Sequence, residues 1–248
     1  QRWAHRHVSA CIAVSAEAAA EAVAFGIPER RVVEIPNGIE TTRFAPVGPE
    51  ERPRLRQALG LDPSRQEALF VGRMATEKNP LALLHAWALL KPRLTQPWTL
   101  VMVGDGPLRA DVEQQVRAMS LEADVLVAGE SAQVSQWLGA ADLFVLSSLN
   151  EGMANTLLEA MACGLASVVT QVSGMDQLVR QPQTGLVVPI GDLHALAEAL
   201  LSLHAASERR QQMGQRAREL VIRRFAIAQI AGEHRRLYER LLGRSRHG

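Results

Sequence analysis

Cysteine and aromatic residues are both scarce in this chain, and each scarcity argues against a class of protein. The 248 residues include two cysteines, Cys11 and Cys163, which lie far apart and lack the spacing of metal ligands. Their number argues against a disulfide-stapled scaffold and indicates a reducing compartment. Aromatic residues make up 4% of the chain, which disfavours the base-stacking platforms of proteins that bind single-stranded nucleic acid.

The chain also lacks an excess of charge and a long apolar run. Its 27 basic and 26 acidic residues leave a formal charge of +1, so we expect no nucleic-acid partner. No apolar run is long enough to cross a bilayer. Neither an Asp-x-Asp motif nor grouped His and Cys residues are present, so we expect no metal and no cofactor. The absence of a signal peptide and of an initiator Met predicts a cytoplasmic protein represented by a fragment.

What the chain does contain is a 47% share of hydrophobic residues, arranged as short apolar runs that alternate with helical segments. We predict strands at 8–14, 32–36, 68–72, 99–104, 125–129, 141–147, 166–170 and 185–189. Strands that are apolar throughout are typical of a sheet covered on both faces. The alternation therefore predicts an α/β fold with a doubly wound, Rossmann-like parallel sheet.

Capping signals predict where several helices begin. Ser15, Asn79, Asp105, Ser131 and Asp192 each precede a helical segment, and all five are candidate N-caps. We also predict an amphipathic helix over residues 1–7, a linker over 46–53 and a short helix over 54–59.

The end of the chain, residues 208–246, is predicted to be helical and is rich in arginine. Its apolar stripe of Phe225, Ile230, Leu237 and Leu241 predicts a helix that packs on the rest of the protein. Contact of the arginines with a membrane surface is the less favoured alternative.

The stretch from Glu151 to Glu159 carries the most chemical information. It follows the strand predicted at 141–147 and leads into an apolar helical run, so it forms a corner at the carboxyl end of a strand, where ligands bind. One interpretation puts a phosphate on the helix start, with Glu151 and Glu159 accepting hydrogen bonds from sugar hydroxyls. The other treats Thr156 and Glu159 as a capping box and Glu151 as a solvated acid.

Three motifs resemble those of a known enzyme family. Glu151 and Glu159, followed by Ala-Met-Ala-Cys-Gly at 160–164, resemble the E-x7-E signature of retaining glycosyltransferases with the GT-B fold, in particular family 4. The segment from Gly72-Arg73 to Lys78 matches the family's G-R-x4-K motif for the donor diphosphate. The Ile-Pro-Asn-Gly-Ile sequence at 35–39 resembles the crossing between the two GT-B domains.

The resemblance implies a division of the chain and an activity. Residues 1–45 would be the last β-α-β unit of the N-terminal acceptor domain with the crossing, 46–224 the donor domain, and 225–248 a helix packing back on the first domain. The implied activity is retaining, metal-independent transfer of a sugar from a nucleoside-diphosphate sugar to a saccharide or lipid-linked acceptor. Polysaccharide or glycolipid assembly is the implied setting, in the cytoplasm or at the inner face of the membrane.

The resemblance also assigns roles to residues. Arg73, Lys78 and Glu151 would be catalytic. Glu159 would contact the ribose, and the segment from Val127 to Gly129 would lie near the base. The implied donor-binding set is Gly72, Arg73, Lys78, Gly104, Gly106, Val127, Glu151, Gly152, Met153, Ala154, Asn155, Thr156 and Glu159.

Other interpretations stay open at this point. A GT-B nucleotide-sugar epimerase or a non-catalytic nucleotide-sugar-binding module would carry the same charged residues. A dinucleotide site at Gly104-x-Gly106 is disfavoured, because Arg109 stands at the third glycine position and Asp124 precedes its strand instead of ending it.

Overall fold

The computed structural model describes residues 8–245, in which helices and strands alternate along the chain. The predicted helix over residues 1–7 and the predicted helical residue Arg246 lie outside this range. The strands are β1 (Cys11–Ala13), β2 (Val32–Glu34), β3 (Gln66–Val71), β4 (Trp98–Val103), β5 (Val125–Gly129), β6 (Leu143–Leu146), β7 (Ala166–Thr170) and β8 (Leu186–Val188). The helices are α1 (Ala16–Ala24), α2 (Glu51–Ala58), α3 (Pro80–Leu90), α4 (Arg109–Ala118), α5 (Val134–Ala140), α6 (Asn155–Ala162), α7 (Met175–Leu178), α8 (Leu193–His204), α9 (Ser207–Arg224) and α10 (Ile227–Ser245).

Six of these strands form one parallel sheet in the order β5-β4-β3-β6-β7-β8. The chain proceeds outward from β3 to β5, returns to β6 beside β3, and proceeds outward again to β8. The reversal places a topological switch point between β3 and β6, the position at which doubly wound sheets bind ligands. The predicted fold class is confirmed.

Helices cover both faces of this sheet because its strands are apolar on both sides. One core cluster contains Trp87 of α3, Trp98 of β4 and Leu200 of α8. The other contains Leu138 of α5, Leu158 of α6 and Leu220 of α9. All six of these side chains are at most 3% exposed.

A smaller two-stranded parallel sheet precedes the large one. Its strands β1 and β2 are joined through α1, and Cys11 pairs with Val32. The sheet packs on α10 through Ile35, Ile230 and Leu237, which are each 3% exposed. The crossing segment that follows β2 then leads to the large sheet.

Some local predictions were right and others were wrong. Ser15 and Asp192 cap α1 and α8, since their side chains accept hydrogen bonds from the N–H groups of Ala18 and Ala195. Asn79 was predicted as a cap but makes no capping hydrogen bond, because the preceding turn holds it in the left-handed conformation (φ 49°). Asp105 and Ser131 accept from Gly106 and Gln133 and lie ahead of α4 and α5 without capping them.

Two further boundaries differ from the predictions. Helix α2 begins at Glu51, inside the predicted linker, because Pro53 is tolerated in the first turn of a helix. The helical tail predicted over 208–246 consists of two helices, α9 and α10, which are separated at Phe225 and Ala226. Phe225 and Ile227 there exchange backbone hydrogen bonds with Ile39 of the crossing segment, at 2.7 and 2.9 Å.

Candidate functional site

The switch point brings together two charged residues that lie 73 positions apart in the sequence. Lys78 follows β3 and Glu151 follows β6, and the Nζ of Lys78 donates to Oε1 of Glu151 at 2.6 Å. The Oγ of Ser148 donates to the same oxygen at 2.6 Å. The carboxylate is nearly buried, with 7% of its side chain exposed, whereas 22% of the Lys78 side chain is exposed. Lys78 can therefore reach a ligand while it pairs with Glu151.

The turn that carries Lys78 is held to the loop that carries Glu151. The hydroxyl of Ser147, directly after β6, donates to the carbonyl oxygens of Lys78 and Asn79 at 3.0 and 3.1 Å. The N–H of Leu149 donates to the carbonyl of Glu77 at 2.8 Å. The hydroxyl of Thr170 donates to the carbonyl of Ser148 at 2.6 Å. These bonds fix the two loops to each other across the switch point.

A cavity of about 400 Å³ opens on the other side of β3, at the ends of β3, β4 and β5. Arg73, Gly104 and Asp105 line it together with Glu130 and Ser131. Arg73 is exposed. The loop from Arg73 to Lys78 thus runs from this cavity to Glu151, because β3 lies between β4 and β6 in the sheet.

Two glycines make close backbone contacts at this cavity. A Cβ on Gly104 would lie 1.9 Å from the carbonyl oxygen of Gly72, and a Cβ on Gly106 would lie 2.5 Å from that of Met74. Both have positive φ, 140° and 154°, and so occupy backbone conformations that favour glycine. Gly72 is less constrained, since its Cβ would meet only side-chain atoms at 3.5 Å or more.

The segment from Gly152 to Asn155 forms the entry to α6. Gly152 and Asn155 are exposed, Met153 is half-buried and Ala154 is buried. No side chain of the described residues caps α6, whose N-cap position is Ala154. The first N–H groups of the helix remain the electropositive end of its dipole. Thr156 is inside the first turn, so the alternative interpretation of Thr156 and Glu159 as a capping box is wrong.

Glu159 lies on the first turns of α6 and is partly buried. Burial raises the pKa of its carboxyl above the ordinary value, and the positive charge of Arg43 partly offsets that effect. Arg43 belongs to the crossing segment, where its guanidinium lies 5.2 Å from the ring centroid of Phe44. The sequence analysis did not single out Arg43, because isolated arginines in loops are common.

Val127 is not among the residues that line the cavity at β5. It is half-buried, pairs with Met102 in the sheet and packs against the core. Glu130, Ser131 and Val134, which follow the strand, line the cavity instead. The contact between the segment from Val127 to Gly129 and a base stays a prediction.

Asp124, the acid considered for a dinucleotide site, has a structural role. It pairs with Arg65 at 2.9 Å and with Lys91 at 2.7 Å. It precedes β5 and so lies at the amino end of the strand, away from the cavity. Those two cations provide hydrogen bonds that lower the pKa of its carboxyl despite partial burial.

Three polar residues of the site were missed by the sequence analysis: Ser147 and Ser148 after β6, and Asn37 in the crossing segment. The Nδ2 of Asn37 donates to Oδ1 of Asn155 at 2.8 Å. A pair of serines directly after a buried strand was the available signal for Ser147 and Ser148. Asn37 had been interpreted only as part of the crossing motif at 35–39, with no role in the site.

Metal-binding clusters and membrane-spanning helices are both absent from the described residues. Within residues 8–245, no three His, Cys, Asp or Glu side chains are grouped so that they could hold a metal ion. In the same range, no helix combines the length and the apolar character that crossing a bilayer requires.

The fold is that of the GT-B class. Residues 51–220 match the family described as Glycosyl transferases group 1, and residues 1–43 match Glycosyltransferase Family 4. The chain therefore belongs to the group 1 glycosyltransferase family.

Individual relatives agree with this assignment. The chain is 28% identical over 195 residues to N-acetyl-alpha-D-glucosaminyl L-malate synthase of Bacillus anthracis, which covers 79% of the chain and 51% of the relative. It is 31% identical over 173 residues to the UDP-Gal:alpha-D-GlcNAc-diphosphoundecaprenol alpha-1,3-galactosyltransferase of Escherichia coli. That match covers 69% of the chain and 44% of the relative. The chain thus spans about half the length of these relatives.

The structure of Anabaena HepE in complex with UDP and glucose has the same fold. The two superpose with a TM-score of 0.87 at 23% sequence identity, over 95% of this chain and 64% of HepE.

Proposed function

We propose that this chain carries the donor site of a retaining glycosyltransferase that uses a nucleoside-diphosphate sugar. The observation that supports this most directly is the Lys78–Glu151 pair at the switch point, beside the uncapped start of α6. A cation, a carboxylate and a helix N-terminus converge there in a chain that belongs to the group 1 glycosyltransferase family.

The charge of the leaving group accounts for the cations. Breaking the bond between the sugar and the nucleoside diphosphate leaves negative charge on the diphosphate, which must be stabilised in the transition state. Arg73 can hold a phosphate through two parallel hydrogen bonds, and Lys78 adds a compact positive charge. We propose that these two cations and the N–H groups of α6 perform this role without a metal ion.

The pairing with Glu151 is compatible with that role for Lys78. An ammonium group has three N–H donors, and one of them is used by Glu151 at 2.6 Å. The remaining donors can serve a phosphate oxygen while the carboxylate keeps the lysine in place. Glu151 in turn has oxygen lone pairs left to accept a hydroxyl of the sugar.

The contacts to the ribose and the base of the donor are assigned from the positions of Glu159 and of the cavity. Glu159, further along α6, is proposed to accept the ribose hydroxyls, and the cavity at β3, β4 and β5 to receive the base. The acceptor is proposed to be a saccharide or a lipid-linked saccharide, in polysaccharide or glycolipid assembly. The name of the E. coli relative supports a lipid-linked acceptor. A cytoplasmic site of action, at or near the inner face of the membrane, is part of the same proposal.

Calorimetry tests the donor assignment directly. We expect this chain to bind one member of a panel of UDP-, GDP- and ADP-sugars, and to bind the matching nucleoside diphosphate more tightly than the bare nucleoside. With an acceptor, and with the further domain of longer relatives added in trans, the chain should release nucleoside diphosphate and form a product with retained anomeric configuration. If the chain bound none of the nucleotides in the panel, the donor site would be rejected. Release of an epimerised sugar without an acceptor would reject transferase activity in favour of an epimerase.

A further inference from the structure

The crossing segment contacts the proposed donor loop through Asn37. Its side-chain Nδ2 donates to Oδ1 of Asn155 at 2.8 Å, and its backbone N–H approaches Sδ of Met153 at 3.1 Å. The donor loop is here the segment from Gly152 to Asn155. Asn37 and Asn155 are 118 positions apart in the chain, so the contact exists only in the folded protein.

The other side of Asn37 is attached to rigid structure. Ile39, two residues on, donates to the carbonyl of Phe225 at 2.7 Å and accepts from the N–H of Ile227 at 2.9 Å. Phe225 is completely buried. Gly38 lies directly on α10, because a Cβ at this position would be 2.8 Å from Cδ1 and 2.9 Å from Cα of Ile227. The backbone at Asn37 is therefore fixed to the start of α10.

The donor loop is held from two directions as a result. Directly before it, Lys78 and Ser148 hold the carboxylate of Glu151. At its end, Asn37 holds Asn155 and Met153. Asn155 is the first residue of α6, so its position sets the direction in which the first N–H groups of that helix point.

We infer that Asn37 is a positioning residue for donor binding: it orients the start of α6 toward the diphosphate through Asn155. The inference rests on the proposed function, since it assumes that the donor loop meets a nucleoside-diphosphate sugar. Asn37 acts through Asn155 and contacts no reacting atom itself. Loss of its amide should weaken contacts to the diphosphate and leave contacts to the nucleoside unchanged.

The test uses calorimetry with a nucleoside diphosphate and the matching bare nucleoside as probes. The nucleoside diphosphate is the one among UDP, GDP and ADP that the wild type binds most tightly. We expect Asn37→Leu to lower diphosphate affinity about 2- to 10-fold, the range for one neutral hydrogen bond. Nucleoside affinity should stay at the wild-type value. Asn37→Gln, which keeps an amide donor, should recover part of the loss. Asn37→Leu in an Asn155→Ala background should have no further effect, because the partner is already absent.

A matched control is available at the amino ends of β3 and β4, at the opposite end of these strands from the site. Gln96 accepts a hydrogen bond from Gln66 at 3.0 Å, another exposed pair of amides. Gln96→Ala should leave both affinities unchanged. A general structural role for Asn37 would instead lower the melting temperature and both affinities together, which would overturn the inference.

The outcomes separate this inference from the proposal on which it rests. If the wild type binds none of the three nucleoside diphosphates, the donor site and the role of Asn37 are both rejected. If the wild type binds and Asn37→Leu binds equally well, the role of Asn37 alone is rejected. If the fold-losses of diphosphate affinity caused by the Asn37 and Asn155 changes multiplied in the double variant, the two side chains would act independently. That result would also reject the role of Asn37.

Discussion

At the scale of single residues, Arg73 and Lys78 are the two cations of the site and differ in their surroundings. Arg73 is exposed beside the cavity, whereas Lys78 pairs with the nearly buried Glu151. Removal of Lys78 would leave a nearly buried carboxylate whose hydrogen-bond partner among residues 8–245 is the hydroxyl of Ser148, so Lys78 variants need a stability measurement alongside binding.

We expect Arg73→Ala to weaken nucleoside-diphosphate binding by about 1.5–3 kcal/mol, the range for a hydrogen bond to a charged group. Lys78→Ala should have an effect of the same size after correction for stability. Binding of the bare nucleoside should not change. Calorimetry with both ligands measures the difference, and Arg117→Ala, which removes an exposed arginine of α4, is the control. Wild-type affinities in both site variants would contradict the diphosphate assignment.

The two glutamates should be separable by ligand. Glu159→Gln should weaken binding of the nucleoside, because the ribose loses a charged acceptor. Glu151→Gln should spare nucleoside diphosphate and reduce discrimination between sugars. Since Thr156 and Glu159 form no capping box, Glu159→Gln should melt close to the wild type. The assignment fails if its melting temperature falls while its affinity for the nucleoside is unchanged.

Glu67 is a buried carboxyl away from the site and should make stability depend on pH. It is 1% exposed, and within residues 8–245 neither of its carboxyl oxygens has a hydrogen-bond partner. Burial raises its pKa to about 8, with opposing contributions from Arg56 and Asp142. The folded protein therefore binds this proton more tightly than the unfolded chain, whose pKa is about 4.3. The stabilisation is complete below that value and is lost as the pH rises to about 8.

Glu67→Gln should remove this dependence, because glutamine resembles the protonated acid. In thermal melts between pH 5 and pH 9, the melting temperature of the variant should rise relative to that of the wild type as the pH rises. The shift should be about 2–4 °C for each kcal/mol of stability that the wild type loses. Glu122→Gln, an exposed change, serves as the control. Parallel curves for wild type and Glu67→Gln would show that the carboxyl is ionised in the folded protein.

At the scale of elements, the ends of β3 and β4 approach each other so closely that glycine is required. We expect Gly104→Ala to destabilise the fold by about 1–3 kcal/mol from backbone strain alone, and by more because its Cβ would meet the carbonyl of Gly72 at 1.9 Å. Gly48→Ala, where a Cβ meets nothing within 4 Å, should be nearly neutral. Denaturant unfolding measures both. A Gly104→Ala variant as stable as the wild type would mean that the strand ends separate without penalty.

At the scale of the whole molecule, an apolar groove of about 540 Å³ lies between the small sheet and α10. Ile12, Ile227, Tyr238 and Leu242 line it and are 36%, 49%, 53% and 67% exposed. The strands β1 and β2 also present edges that can pair with another chain. We therefore expect this chain to associate with a second copy of itself through this region.

Light scattering at several concentrations tests that expectation. Tyr238→Glu with Leu242→Glu should shift the chain toward monomer, because charges in the groove oppose apolar association. Ile222→Glu changes an equally apolar, 43% exposed residue of α9 and should leave association unchanged. Adding in trans the further domain found in longer relatives should also lower self-association. A chain that is monomeric at all concentrations and transfers sugar unaided would contradict both the expected association and the predicted domain division.

The sequence alone determined those features that depend on neighbours along the chain. Buried parallel strands are continuous apolar runs bounded by glycine or polar residues, so the positions of β3 to β8 could be predicted to within a few residues. Ser15 and Asp192 could be predicted as caps because a cap bonds to an N–H three residues away. The E-x7-E and G-R-x4-K motifs led to the switch point for a related reason, since each lies within one strand–loop–helix corner.

Tertiary structure decided what depends on residues far apart in the chain. The order of the strands places Lys78 against Glu151, and the crossing segment brings Asn37 to Asn155. The burial of Glu67 and the break between α9 and α10 likewise depend on packing partners from other elements. Periodicity and capping report the local conformation of a segment. Pairing and burial are set by how the elements pack, because a contact between distant segments forms only when folding brings them together.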